Sequence, residues 1–249
     1  MKITDIVART ITQSSPRKGL KDIWNAFMAN GAKFCEHDIP FCPTTATQLP
    51  TDIITWEEAE QIYKEQQKKK LRNFKHNTFV CFYQDDYKFD GPKGIWFRYK
   101  RALKILSHFE GVISPDFSTY QDFPKPLKLH ATYKMRLMGY WFGKNGIQVI
   151  NNVRWGTEET YDYCFVGIPC NSIVAIGTVG GSPKQLIDRV RFEEGLKEMV
   201  RRLSPHTIIV YGSANYECFH KLKEQGINVL SFQSKTAKVF ARRNSYEQK

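Results

Sequence analysis

The chain has 249 residues, carries 37 Lys+Arg against 25 Asp+Glu, and is 41% hydrophobic and 14% aromatic. That apolar content excludes a mainly disordered chain, and the length suffices for one large α/β domain with or without an appendage. The formal net charge of +12 favours a polyanionic partner. No run of about 18 apolar residues is present, so no membrane span is expected. Met1 to Gly19 has no apolar core followed by a small-residue cleavage site, so the chain reads as cytosolic. Six cysteines in a chain this long are not a disulfide framework, and Cys81 and Cys164 read as small core residues.

In chain order, Leu20 to Phe27 has helical spacing with an apolar side, and Ile39 to Thr45 is a Pro-punctuated loop. Within this region Cys35, His37 and Cys42 form a Cys-x-His-x4-Cys cluster, but the second ligand pair of a structural zinc site is missing, so a loop with a partly buried thiol is expected. Thr55 followed by Glu58 is a capping box that opens a helix at Trp56. That helix runs into Lys68-Lys69-Lys70-Leu71-Arg72, where the helix dipole favours cations. A solvated helix end or a phosphate-backbone contact explains this run.

From Thr78 onward apolar strand runs alternate with helical ones. The strands are 78–83, 111–114, 147–150, 172–176, 207–211 and 227–230. The helices between them are 96–109, 127–142, 183–203 and 216–225. Such alternation, with strands apolar on both faces, predicts a mainly parallel α/β sheet of about six strands, either open or an incomplete barrel. Residues 1–77 are expected to form a helical and loop N-terminal extension, 78–234 the α/β domain, and 235–249 a basic tail.

Ligands in parallel α/β folds gather at the carboxyl ends of strands. Asp85 and Asp86 follow the first strand; Asp116, Ser118 and Tyr120 follow the second; Asn152, Arg154 and Trp155 end the third. Thr178 follows the fourth and Tyr211 ends the fifth. Asp85, Asp86 and Asp116 together would repel one another, raising a pKa or binding a divalent cation such as Mg²⁺ or Mn²⁺, which would suit phosphoester hydrolysis. Helix capping explains a single Asp as well. Arg154 would clamp a phosphate bidentately or pair with one of these aspartates. Ser118, Tyr120, Asn152, Trp155, Thr178 and Tyr211 are the candidate substrate contacts. Gly180-Gly181-Ser182 lacks a Walker lysine and a G-x-G-x-x-G pattern, so a plain turn is expected there rather than an anion nest.

Several chemistries lack their motifs: no His-hydrophobe-His for a tyrosine nickase, no zinc-deaminase signature, no G-x-S-x-G. The histidines are scattered, and Tyr140, Trp141 and Phe142 have spacing that suits core packing.

Longer motifs carry a resemblance. Phe82-Tyr83-Gln84-Asp85-Asp86-Tyr87-Lys88-Phe89, Ser114-Pro115-Asp116-Phe117-Ser118, Gly139-Tyr140-Trp141, Asn152-Val153-Arg154-Trp155-Gly156, Gly167-Ile168-Pro169 and Ile209-Val210-Tyr211-Gly212 stand in order. With Asp38-Ile39-Pro40-Phe41-Cys42-Pro43 upstream, the chain resembles the bacterial, phage and plasmid family called domain of unknown function 4417. Val166 departs from the Asp that members often carry there. The resemblance implies a mobile-element setting without naming a reaction, and its signature segments coincide with the strand-end residues.

The leading expectation is a protein that binds or acts on nucleic acid, with Asp85, Asp86, Asp116 and Arg154 as the catalytic candidates and the three aspartates as metal ligands if it is an enzyme. An enzyme acting on a small nucleotide or nucleoside is a second reading. A non-catalytic interaction module, such as an inhibitor of a host defence protein, is a third.

Overall fold

A computed structural model of the chain describes residues 22, 24–179 and 186–247. Seven strands form one sheet in the order of the chain, β1 (Ile53–Thr55), β2 (His76–Cys81), β3 (Phe109–Ile113), β4 (Gln148–Asn152), β5 (Ile173–Gly177), β6 (Thr207–Tyr211) and β7 (Asn228–Phe232). Every neighbouring pair is parallel. The helices α1 (Trp56–Lys68), α2 (Tyr99–Leu106), α3 (Lys125–Lys144), α4 (Leu186–Leu203) and α5 (Glu217–Glu224) connect them, and α6 (Lys235–Glu247) follows β7.

A parallel sheet that adds each strand on the same side, with right-handed crossovers, places all its helices on one face. The two faces follow from the period of two along a strand. On the outer face Val80, Phe82, Val112 and Val149 pack with residues of α1 to α3, while Val174, Ile176, Ile208 and Val210 pack with Leu196, Met199 and Phe219 of α4 and α5. The inner face holds Ile53, Phe79, Cys81, Ile113, Ile150, Ala175 and Ile209 in one cluster. None of α1 to α5 contributes to that cluster, and the sheet covers it by curling. Tyr83, just past β2, stacks on Tyr211 of β6 with ring centroids 5.4 Å apart, although three strands lie between. A Cβ on Gly177 of β5 would come within 2.6 Å of the Tyr83 ring, so only glycine admits this close approach.

The curl stops short of closure, because β1 and β7 do not pair. Helix α6 bridges them: Lys235 Nζ reaches Glu57 at 2.6 Å, and Lys238 Nζ donates to Asp52 Oδ1 at 2.8 Å and to the Ile53 carbonyl at 3.1 Å. A lysine on an edge-strand carbonyl also blocks edge-to-edge pairing.

The sequence reading and the structure differ at the ends. The sheet has seven strands, and β1 with α1 lies upstream of residue 78; a three-residue strand that runs straight into its helix cap is too short to show period or composition. The capping box is present, with Thr55 Oγ1 accepting from the Glu58 amide and Glu58 accepting from the Thr55 amide. The stretch 235–249 carries α6, since its basic residues include those that fasten it to β1. Of the expected helix at 20–27, Leu20, Lys21 and Ile23 lie outside the described residues, and Ala26–Ala29 forms a 3-10 turn. Gly180-Gly181-Ser182 and Pro183 also lie outside them.

Candidate functional site

The carboxyl ends of β3, β4 and β5 surround a cavity of about 440 Å³. Its walls include Asp116, Thr119 and Tyr120 after β3, Asn152, Arg154 and Trp155 at the end of β4, and Asp188, Arg191 and Phe192 from α4. Apolar strands stop here, and the first polar side chains beyond them face the gap that the diverging loops leave.

A hydrogen-bonded chain runs through the wall. The Tyr83 hydroxyl donates to Asn152 Oδ1 at 2.9 Å, and Asn152 Nδ2 donates to Asp116 Oδ1 at 2.8 Å. Arg154 Nη1 donates to the other oxygen, Asp116 Oδ2, at 2.8 Å. Asp116 is 7% exposed. The Asn152 amide in turn donates to Ser114 Oγ at 2.8 Å, tying β4 to the end of β3. Asp116 holds the Arg154 guanidinium more firmly charged than usual, against the opposing effect of burial. Burial, and next the charge of Asp116, pushes the Tyr83 phenol well up, so it stays a neutral donor.

Behind the wall lies Arg136 of α3, fully buried and with no carboxylate partner among the described residues. Its three bonds go to the carbonyls of Val166 (3.0 Å), Asn152 (3.0 Å) and Cys164 (2.7 Å). Burial lowers it to about 10. This guanidinium pins the 161–169 loop to the end of β4 and so positions Asn152. The Gly167 carbonyl accepts from the Cys42 amide at 2.8 Å, which docks the Pro-punctuated loop on the same core. The motifs around Pro40 and Pro169 therefore frame the site from behind.

The expected residues separate into groups. Asp116, Tyr120, Asn152, Arg154 and Trp155 line the cavity. Asp86 and Ser118 stand beside it, half-buried; burial raises the Asp86 carboxyl, while a hydrogen bond from Ser118 and the charge of Arg154 oppose the rise. Asp85 is exposed and pairs with Lys88 at 3.7 Å. Thr178 donates to the Ser213 carbonyl at 3.0 Å and lines a neighbouring cleft of about 670 Å³ at the ends of β5 to β7. Tyr211 is buried on the inner face, its hydroxyl accepting from the Lys235 amide at 3.0 Å.

The acids do not fit a shared Mg²⁺ or Mn²⁺. Both Asp116 oxygens are engaged by Asn152 and Arg154, Asp85 faces solvent, and no group of three or more His, Cys, Asp or Glu able to hold a metal occurs among the described residues. The Cys35, His37 and Cys42 cluster is likewise no such group: Cys42 is fully buried, and His37 pairs with Asp162 at 3.2 Å.

Tyr83, Arg136, Thr119, Arg191 and Phe192 are not among the candidate site residues that the sequence offers. Arg191 and Phe192 carry one usable signal: they lie near the start of the helix after β5, where side chains face a strand-end site.

The family model "Domain of unknown function (DUF4417)" matches residues 34–233, and the chain belongs to that family. It is 33% identical over 142 residues to the Gene 1 protein of Mycobacterium phage L5, covering 57% of this chain and 60% of that protein. It is 32% identical over 135 residues to the Gene 1 protein of Mycobacterium phage D29, covering 54% of this chain and 48% of that protein. The matched region thus spans about half to three-fifths of these curated relatives. No solved structure matches the chain. No helix among the described residues is long and apolar enough to cross a membrane.

Proposed function

We propose that this phage-type member of the family binds single-stranded nucleic acid across the carboxyl-end rim of its curled sheet. One observation carries the reading. The loop from β2 to α2 exposes two aromatic side chains, Tyr87 at 80% and Phe97 at 53%, with the exposed cations Lys93 and Arg98 in the same loop and Lys100 in the first turn of α2. Aromatic rings cost free energy when left in water. Rings interleaved with cations form a surface that stacks successive bases and tracks a phosphate backbone. The loop starts at the carboxyl end of β2, where Asp86 feels the charges of Asp116 and Arg154 in the cavity wall. The net charge of +12 supports the same reading.

Fluorescence anisotropy of labelled single-stranded DNA and RNA across a salt series tests it. Phosphate contacts predict a linear fall of log affinity with log salt, with a slope of about −0.7 per phosphate contacted. Binding that does not depend on salt, or no binding at low salt, overturns the proposal.

A further inference from the structure

The cavity beside that rim has a different character from the surface around it. It carries three carboxylates, Asp116, Asp122 and Asp188, against two guanidiniums, Arg154 and Arg191. Among the described residues its lining therefore holds no positive excess, and Arg154 already shares its charge with Asp116 at 2.8 Å. A phosphate group entering this space would meet as much repulsion as attraction. An uncharged ligand avoids that cost.

The remaining lining describes such a ligand. Trp155 and Phe192 pack together with ring centroids 5.4 Å apart and form an aromatic wall, and Tyr120 adds a third ring that is 49% exposed. Arg154 uses one of its five N–H groups on Asp116, so the guanidinium presents further donors beside the fixed carboxylate. The Thr119 hydroxyl, in the same wall, has no hydrogen-bond partner among the described residues. Flat faces for stacking with a few fixed polar atoms at the edge suit a planar, neutral, hydrogen-bonding ring. The volume of about 440 Å³ lies in the range of small-ligand sites.

Resting on the nucleic-acid reading, we infer that the cavity at the ends of β3, β4 and β5 is a nucleobase site, taking one unstacked base of the bound strand while its phosphates stay on the basic rim. Taking a base out of the stack costs least in single strands, which agrees with the proposed substrate class.

Three measurements on the full chain test this. The first compares a single-stranded oligonucleotide with an abasic strand of the same length and charge. The second asks whether free nucleosides, which carry no phosphate, compete with the oligonucleotide. The third uses Tyr120→Ala, which removes a half-exposed ring without opening the core, its folding checked by thermal melting. The base-bearing strand is expected to bind at least about tenfold more tightly than the abasic one, and Tyr120→Ala to lower its affinity about fivefold or more while leaving the abasic strand unchanged. Nucleosides are expected to compete and inorganic phosphate to compete far less.

Equal binding of the two strands, with Tyr120→Ala silent, overturns the nucleobase site and leaves nucleic-acid binding standing. Competition by inorganic phosphate but not by nucleosides overturns it as well. Saturable nucleoside binding sensitive to Tyr120→Ala, without binding of any polymer, supports the site and sinks the polymer reading. Binding of neither sinks both.

Discussion

Asp116→Asn is the most informative single substitution because it keeps the shape and removes one charge from a short chain of donors. In the native site both donors are satisfied, Asn152 Nδ2 on one carboxylate oxygen and Arg154 Nη1 on the other, each at 2.8 Å. An asparagine offers one oxygen and one NH₂. Either orientation leaves one of the two donors facing another donor. Breaking a buried ion pair by altering one partner costs about 3–5 kcal/mol, but Arg154 is 29% exposed and water recovers part of that. We expect a loss of about 2–4 kcal/mol, or about 4–16 °C in Tm at 2–4 °C per kcal/mol for a chain of this size. Urea unfolding followed by tryptophan fluorescence measures it, and a cycle with Arg154→Met isolates the pair. The double variant should lose less than the sum of the singles by about 1–3 kcal/mol. A loss below about 1 kcal/mol, or singles that add within about 0.5 kcal/mol, would mean that the pair is solvated and the wall is not preorganised.

Three further substitutions probe other parts of the frame. Gly195→Ala places a Cβ 2.1 Å from the Trp155 indole nitrogen, so the ring must leave the cavity wall; despite a helix-propensity gain of about 1 kcal/mol, we expect altered Trp155 fluorescence and weakened ligand binding, and an unchanged spectrum would contradict the packing. Asp86 has its folded pKa raised above the ordinary 3.8, so its penalty is absent below that value, grows as pH rises up to the folded pKa and is fully present above it; Asp86→Asn should therefore raise Tm at pH 7 and lose this advantage on acidification, and an advantage that persists at low pH would contradict it. Truncation after Ser234 removes Lys235 and Lys238 from Glu57 and Asp52 and uncovers the β1 edge; we expect a lower Tm and concentration-dependent association in light scattering, whereas Lys235→Ala with Lys238→Ala should cost only about 0–2 kcal/mol.

How far the sequence carries depends on which physical signal each element leaves. Strand β6 is legible to the residue, since Thr207–Tyr211 is apolar on both faces and bounded by polar residues. Strand β1 is not, because three residues leave no period to detect. Helix α6 hides behind its charge: its lysines read as a tail until β1 supplies acceptors for them. In the site, Asp116, Asn152 and Arg154 are legible as the first polar residues after apolar strands. The consecutive pair Asp85-Asp86 misleads for a simple reason. Neighbouring residues point in different directions, so one carboxylate turns to solvent and Lys88 while the other is half-buried beside Ser118. Arg136 sits in a helix that is buried all round from Lys134 to Gly139, and only the three-dimensional meeting of β4 with the 161–169 loop reveals what it holds.

The lysine run after α1 and the cations after β2 look alike in composition but belong to segments that start at opposite ends of the sheet. A helix linking parallel strands runs back along the sheet, so the carboxyl end of α1, with Lys68 to Arg72, lies at the amino ends of the strands. The β2–α2 loop starts at the carboxyl end of β2, with Asp86 near Asp116 and Arg154. Other cations are already committed: Lys128 to Glu159 and Lys134 to Asp90 inside the fold, Arg136 to carbonyls, and Lys235 and Lys238 to the closing helix. Among the described residues, Lys93, Arg98 and Lys100 are exposed and form no ion pair, as are Lys69 and Lys70. If the strand runs over the carboxyl-end rim, changing Lys93, Arg98 and Lys100 to Ala together should make the salt slope shallower by up to about 2, at about 0.7 for each phosphate no longer neutralised. Lys69→Ala with Lys70→Ala, which changes the net charge by two and touches only the far end, should lower affinity slightly at low salt through the long-range field and leave the slope nearly unchanged. Equal effects per charge from the two sets would show that net charge alone attracts the polymer, and the rim would lose its claim to the binding site.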